Sequence, residues 1–182
     1  MKKLLFITLI LILNINTTKT TTNKLNPPLP IVCKEVVPPE SITHQDVILF
    51  IAKQEGFHTI CKDDGSQFTN GYGTKAKFKG EIIDKKEGLK RLKEYYYRKL
   101  TYTKKTYPNL TLQEAMVITA VFYNIGSASK KPLLHQAISV KDFSQIKKHL
   151  LNYIGTNPKY KKGLTNRRVR EVELLKKVWN FA

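Results

Sequence analysis

The stretch from Ala115 to Tyr123 carries almost nothing but apolar side chains. A helix that is apolar nearly all round has no face to offer to water, so it must lie inside a shell of other elements. Thr111 with Glu114 three positions on marks its start, and Gly126 marks its stop. Most of the remaining chain therefore has to wrap this helix. With 182 residues there is enough chain for one domain with a real core.

The wrapping segments are visible in the same way. Ser41 to Phe57 reads as a first helix, opened by Thr43 with Asp46 and strongly apolar from Val47 to Ala52. Asp84 with Glu87 opens another, in which Leu89, Leu92, Tyr96 and Leu100 recur at helical spacing. Shorter helices fit 131–139 and 142–153. The last runs from Thr165 to about Phe181, with Val169, Val172, Leu175 and Trp179 as an apolar stripe among Arg167, Arg168, Arg170, Lys176 and Lys177. Residues 58–78 differ in kind. Gly65, Gly71 and Gly73 alternate there with Phe68, Tyr72 and Phe78, which predicts short strands and tight turns. The expected fold is α+β and mainly helical. A small N-terminal sheet lobe is joined by helix 84–100 to a helical lobe, with a cleft between them.

Residues 1–20 read as a signal peptide or signal-anchor: Lys2 and Lys3, an apolar run from Leu4 to Leu13, then polar residues. Residues 21–40, rich in Thr, Asn and Pro, read as a linker arm. Residues 41–182 remain as the folded domain. The expected location is secreted or periplasmic. Lys and Arg number 32 against 14 Asp and Glu, a net +18. Loss of Lys2, Lys3 and Lys19 with the leader lowers this by three, to +15. Such a field attracts polyanions, of which nucleic acid and the phosphate- and carboxylate-bearing polymers of the bacterial envelope are two. Cys33 and Cys61 can pair in an exported protein, clipping the arm beside the Gly-rich loop, or stand as two unrelated thiols.

The chemistry concentrates in Glu55–Gly56–Phe57, Asp63–Asp64–Gly65 and Thr69–Asn70–Gly71–Tyr72–Gly73–Thr74. A glutamate ends an apolar helix, and acids and a threonine follow in an aromatic loop. Two carboxyls flanking a gap are what acid-assisted cleavage of a glycosidic bond requires. A carboxyl at the end of an apolar helix is expected to be partly desolvated, which helps it keep a proton to donate. His44, His58, His135 and His149 are scattered without a second ligand at metal spacing, and no metal or cofactor is expected.

These segments, with Phe122–Tyr123–Asn124–Ile125–Gly126 and Gly163–Leu164–Thr165–Asn166–Arg167–Arg168–Val169–Arg170–Glu171, resemble the phage-type lysozymes, the endolysin-type muramidases, in family order. The resemblance covers roughly residues 42–180. It implies a lysozyme-like two-lobed fold and a monomer acting on peptidoglycan among anionic envelope polymers, with no nucleic acid. It implies cleavage of the β-1,4 bond between N-acetylmuramic acid and N-acetylglucosamine with inversion. A lytic transglycosylase, or a non-catalytic basic envelope-binding protein on the same scaffold, are the alternatives.

Carried onto this chain, Glu55 is the general acid, and Thr69 holds the attacking water with an aspartate. Counting from the glutamate selects Asp64, and counting back from Thr69 selects Asp63; Asp64 is preferred, leaving Asp63 as a turn former before Gly65. Phe68 and Tyr72 either stack on saccharide rings or pack in the core. Asn124 either bonds a sugar acetamido group or caps its own helix. Arg168 is expected to reach the sheet lobe and pair with Glu55, and Arg167 to be surface charge. Asn70 departs from the family, which usually has an apolar residue there.

Overall fold

A computed structural model describes residues 41–63, 65, 67–126 and 131–179. The signal segment, the linker arm, Cys33 and Asp64 lie outside the described residues. Helix α1 spans His44–Glu55 and is followed by strands β1 (His58–Asp63), β2 (Phe68–Gly71) and β3 (Thr74–Lys75). Helices α2 (Lys85–Thr106), α3 (Leu112–Ile125), α4 (Pro132–Ser139), α5 (Phe143–Asn152) and α6 (Pro158–Lys176) complete the order. The fold is therefore mainly helical with one small sheet.

Helix α3 is the centre. Every residue from Glu114 to Phe122 is buried, and α1, α2 and α6 pack on it. Its start is a capping box: Glu114 N–H donates to Thr111 Oγ1, and Thr111 N–H donates to Glu114 Oε2 at 2.7 Å. Thr119, the polar member of the run, spends its hydroxyl on Thr103 of α2 and the Ala115 carbonyl, which removes the cost of burying it. Helix α1 begins with the same reciprocal device, Thr43 with Asp46, and buries Val47, Ile48 and Ile51.

The sheet is antiparallel in the order β1–β2–β3, with Thr69 opposite Lys62 on one side and Lys75 on the other. It packs on α2 through two glycines. A side chain on Gly71 would lie 3.2 Å from the Gly88 Cα, and one on Gly88 would lie 2.8 Å from Phe57 Cε2. Backbone meets backbone there, so neither position has room for a Cβ. The freedom at Gly71 serves this contact.

Several boundaries differ from those expected of the sequence: α1 is His44–Glu55, shorter than Ser41–Phe57, and α6 ends at Lys176, short of Phe181. Helix α2 continues past residue 100 to Thr106, so Lys104 and Lys105 lie in its last turn, where cations suit the helix dipole. Helix α6 begins at Pro158, seven positions before Thr165, because Asn157 caps it and proline stands at its first position. Lys159–Lys162 and Gly163 are thus helical. The buried face of α6 also differs: Val172 and Leu175 are buried, but Val169 is 46% exposed. Arg168 and Glu171 occupy the interior instead.

Candidate active site

Glu55 is the last residue of α1. The helix stops there because Gly56 takes φ +69°, a left-handed conformation that favours glycine. The Glu55 side chain is 19% exposed. Its two oxygens face different elements. Oε1 accepts a hydrogen bond from Arg167 Nη2 of α6 at 2.6 Å. Oε2 faces the β2–β3 turn, 3.5 Å from where a Cβ on Gly73 would stand. Gly73 has φ +79°, so glycine is needed there for its backbone, while a Cβ would make only ordinary contact with Glu55.

Tyr123 of α3 completes this enclosure. Its hydroxyl donates to the Tyr72 carbonyl at 2.6 Å, tying the central helix to the turn. Burial, and after it the nearby charge of Glu55, push the Tyr123 phenol well above its ordinary range, so it remains a donor. Tyr95 of α2 meets the Tyr123 ring edge-on at 5.1 Å.

Behind Glu55 lies a buried charge cluster. Arg167 Nε donates to Glu171 Oε1 at 3.1 Å while Nη2 holds Glu55, so one guanidinium serves two carboxylates. Arg168 is fully buried, with Nη1 2.6 Å from Glu171 Oε2 and Nη2 donating to Asn124 Oδ1. A buried guanidinium without partners would cost several kcal/mol, which explains why Glu171 and Asn124 both turn toward it. Burial is the largest influence on Glu171 and pushes its carboxyl up to about 7 against the two arginines. The same burial lowers Arg168.

This geometry reverses the expectation for the two arginines. Arg167 reaches Glu55, and Arg168 is consumed by Glu171 and Asn124. Both arginines lie within one turn of Glu171, at i,i+4 and i,i+3, and both pair with it, so the tertiary packing of α6 and not the spacing decides that Arg167 goes on to meet Glu55. Asn124 is exposed, and its Oδ1 accepts from Arg168 Nη2.

On the sheet side, Thr69 is half-buried in β2. Asp63 ends β1, and its Oδ1 accepts the Gly65 N–H at 2.8 Å, which is turn-forming geometry. Asp64, the favoured second acid, lies outside the described residues. Phe68 is half-buried, with Lys79 Nζ 5.8 Å over its ring, and Tyr72 packs against Phe57 at 5.3 Å between ring centres. Cys61 is a half-buried free thiol whose sulfur accepts the Gly80 N–H at 2.9 Å, and Cys33 lies outside the described residues. Among the described residues no group of His, Cys, Asp and Glu is arranged to hold a metal.

Asn70, next to Thr69, is 1% exposed and donates from Nδ2 to Glu81 Oε2 at 3.0 Å. Glu81 also accepts the Lys77 N–H and a two-pronged contact from Arg91 of α2, at 2.9 and 2.7 Å. Arg91 foremost, helped by those other donors, holds the Glu81 carboxyl down at about 2. This hub fastens the strand carrying Thr69 to α2. The amide NH2 of Asn70 thus has the buried Glu81 as its partner, while its Oδ1 is buried without a hydrogen-bond partner among the described residues. The sequence singles out Asn70 and places Tyr123 in a motif without a role, and it gives no signal for Glu81 or Arg91, whose pairing is set by the fold.

A cleft of about 390 Å³ runs between the β2–β3 segment and helices α2 and α3, lined by Gln67, Gly73, Lys75, Arg91, Tyr95 and Tyr123 among others; Glu55 does not line it but stands behind Gly73. A mainly helical domain with a small sheet and a cleft alongside it can seat an extended polymer. Residues 52–171 match the family model described as phage lysozyme, and the chain belongs to that family. Solved structures share the fold. The muramidase domain of SpmX from Asticaccaulis excentricus is 14% identical at a TM-score of 0.63, covering 71% of this chain and 93% of that one. An endolysin from Escherichia coli O157:H7 phage FAHEc1 is 20% identical at 0.58, covering 71% and 89%. The active form of the P1 phage endolysin Lyz is 15% identical at 0.55, covering 75% and 86%. No curated protein matches the chain in sequence.

Proposed function

We propose that this protein is a peptidoglycan hydrolase, a glycoside hydrolase cutting the β-1,4 bond between N-acetylmuramic acid and N-acetylglucosamine. The observation that carries the reading is the placement of Glu55. It stands at the end of α1 behind the cleft wall, with Gly73 facing one carboxyl oxygen and Arg167 on the other. Glu55 protonates the leaving oxygen. Asp64 and Thr69, assigned from their place in the family motif, hold water on the opposite face of the sugar, giving inversion. A threonine hydroxyl donates and accepts at once, as positioning a nucleophilic water requires.

Residues 1–20 take the enzyme across or onto a membrane, and it acts as a monomer outside the cytoplasm. Among the described residues no helix is long and apolar enough to cross a membrane. The basic surface supports attraction to an anionic wall.

The test is clearing of purified peptidoglycan by wild type and Glu55→Gln, with product masses. Hydrolysis yields fragments one water heavier than the anhydro sugars of a lytic transglycosylase. Loss of about 100-fold or more in the folded variant fits the general acid. Anhydro products would transfer the chain to the transglycosylase reading. Binding without clearing by wild type would leave only the envelope-binding reading.

A further inference from the structure

The solvent-facing side of an antiparallel sheet ordinarily carries polar side chains. Here it carries two facing isoleucines. Ile60 of β1 lies opposite Ile82 in an antiparallel bridge. Cys61 N–H donates to the Glu81 carbonyl at 3.1 Å and Ile83 N–H to the Thr59 carbonyl at 3.0 Å, one on each side of the pair. This is the non-hydrogen-bonded kind of pair, in which facing side chains stand closest. Glu81 and Ile83 are buried, so Ile82 between them points outward, and Ile60 with it. Phe78 opens the turn into this segment, its carbonyl accepting the Glu81 N–H at 3.3 Å. Ile60, Phe78 and Ile82 are 58, 64 and 69% exposed.

Cations flank the three. Lys62 stands two positions after Ile60 on β1, and Lys77 and Lys79 stand on either side of Phe78. All three lysines are exposed, and none is ion-paired with a carboxylate among the described residues. The described acids nearby are engaged by other groups. Glu81 is turned inward to Arg91, Asp84 accepts the Glu87 N–H at 2.7 Å as the cap of α2, and Asp63 accepts the Gly65 N–H. None of the three apolar residues or the three lysines lines the cleft.

This pattern selects its partner. Exposed apolar side chains ringed by lysines fit a surface that is anionic at its rim and apolar beneath. A bilayer with anionic headgroups is layered in that way, and lysine stems can lie along the apolar layer while their ammonium groups stay with the phosphates. A soluble phosphate polymer satisfies the lysines but has no apolar layer for the isoleucines. A stable protein interface needs about 800 Å² per partner, far more than these three side chains supply.

We propose that the solvent face of the sheet, at Ile60, Phe78 and Ile82, docks on the surface of an anionic bilayer. The three apolar side chains enter the boundary between headgroups and acyl chains, and Lys62, Lys77 and Lys79 meet lipid phosphates. The cleft stays open while the domain is docked. The proposal is independent of the muramidase reading.

The experiment places a tryptophan in the patch of the full chain, as Ile82→Trp, and another at an exposed site on α4, as Leu133→Trp. The native Trp179 is the single tryptophan of the chain and is buried, so wild type supplies the baseline. Vesicles with brominated acyl chains serve as the quencher, made of phosphatidylcholine alone or of an equimolar mixture with phosphatidylglycerol. An apolar leader binds either vesicle, so the readout is local to the sheet rather than total binding. Emission from position 82 should shift to the blue and be quenched on the anionic vesicles, while position 133 is not quenched and neutral vesicles quench neither. Lys62→Gln, Lys77→Gln and Lys79→Gln together should weaken docking roughly 100-fold, since each lysine at an anionic surface contributes about fivefold. Circular dichroism like that of wild type keeps the comparison on folded protein. No quenching at position 82 on anionic vesicles overturns the proposal. Equal quenching at both positions, or on both kinds of vesicle, also overturns it, because the leader alone produces that result. Quenching that survives loss of the three lysines does the same. Full release of the sheet by soluble poly(glycerol phosphate) at matched phosphate concentration overturns it in favour of a phosphate-polymer site.

Discussion

Arg167 donates to Glu55 at 2.6 Å across 112 positions of chain, joining the last helix to the end of the first. The same guanidinium holds Glu171 at 3.1 Å. The side chain read as the general acid is therefore positioned by a residue that the sequence reading assigned to the surface. Two changes at Arg167 separate positioning from stability. Arg167→Ala takes the cation from Glu55, while Glu171 keeps Arg168, so the loss should not exceed the lower end for a broken buried pair, about 3 kcal/mol, seen as a drop in melting temperature. Arg167→Lys keeps the charge but lacks the planar fork that spans both carboxylates, so clearing should fall about tenfold in a folded protein. Unchanged clearing by the lysine variant would mean that the orientation of Glu55 does not depend on Arg167.

The two neighbouring aspartates should behave differently. Asp63 spends one oxygen on the Gly65 N–H, so Asp63→Asn, whose side-chain oxygen can accept the same bond, should retain most activity. Asp64→Asn should lose about 100-fold or more if Asp64 holds the water. Turbidity rates of the two folded variants decide between them. The opposite order would give Asp63 the role.

Glu81→Gln removes the charge at the hub that fastens β2 to α2. Arg91 keeps Glu87 at 2.8 Å, so the loss should sit near the lower end for a broken buried pair, about 3 kcal/mol by denaturant melting. The wild-type contribution has a defined pH window. The folded carboxyl lies near 2, below its ordinary value of 4.5, so its stabilisation is complete above about 4.5 and is lost as pH falls toward 2. The gap in melting temperature between wild type and Glu81→Gln should accordingly narrow in acid. A gap that is constant from pH 6 down to pH 3 would show that the charge contributes nothing.

Glu171 works in the other direction. Burial raises its folded carboxyl to about 7 from an ordinary 4.5. Between those values the folded protein keeps a proton that the unfolded chain has released, so this group's support declines as pH rises from about 4.5 through 7. Glu171→Gln mimics the protonated form. Wild type should therefore lose melting temperature relative to the variant between pH 5 and pH 8, and the difference should level off above that. A difference that grows in favour of wild type over this range would contradict a raised carboxyl.

The sequence by itself determined the elements and their chemistry. Side-chain type and spacing are local properties, so the apolar run of α3, the Thr43–Asp46 and Thr111–Glu114 boxes and the Asp84 cap were all legible and stand in the structure as read. The short strands at the Gly-rich aromatic stretch were legible for the same reason, and so was the candidate acid at the end of α1. The start of α6 was missed because Lys159–Lys162 and Gly163 show no apolar period, although the signal at Asn157–Pro158 was present. What tertiary structure alone decided was which charges meet. Arg167 and Arg168 are adjacent and chemically identical in sequence, yet one reaches Glu55 and the other is sealed against Glu171 and Asn124. Asn70 looked out of place until Glu81 and Arg91 stood beside it. Periodicity says which way a side chain points on its own helix or strand. The partner it finds there depends on how the elements pack against one another, and that arrangement is fixed by the whole core around α3.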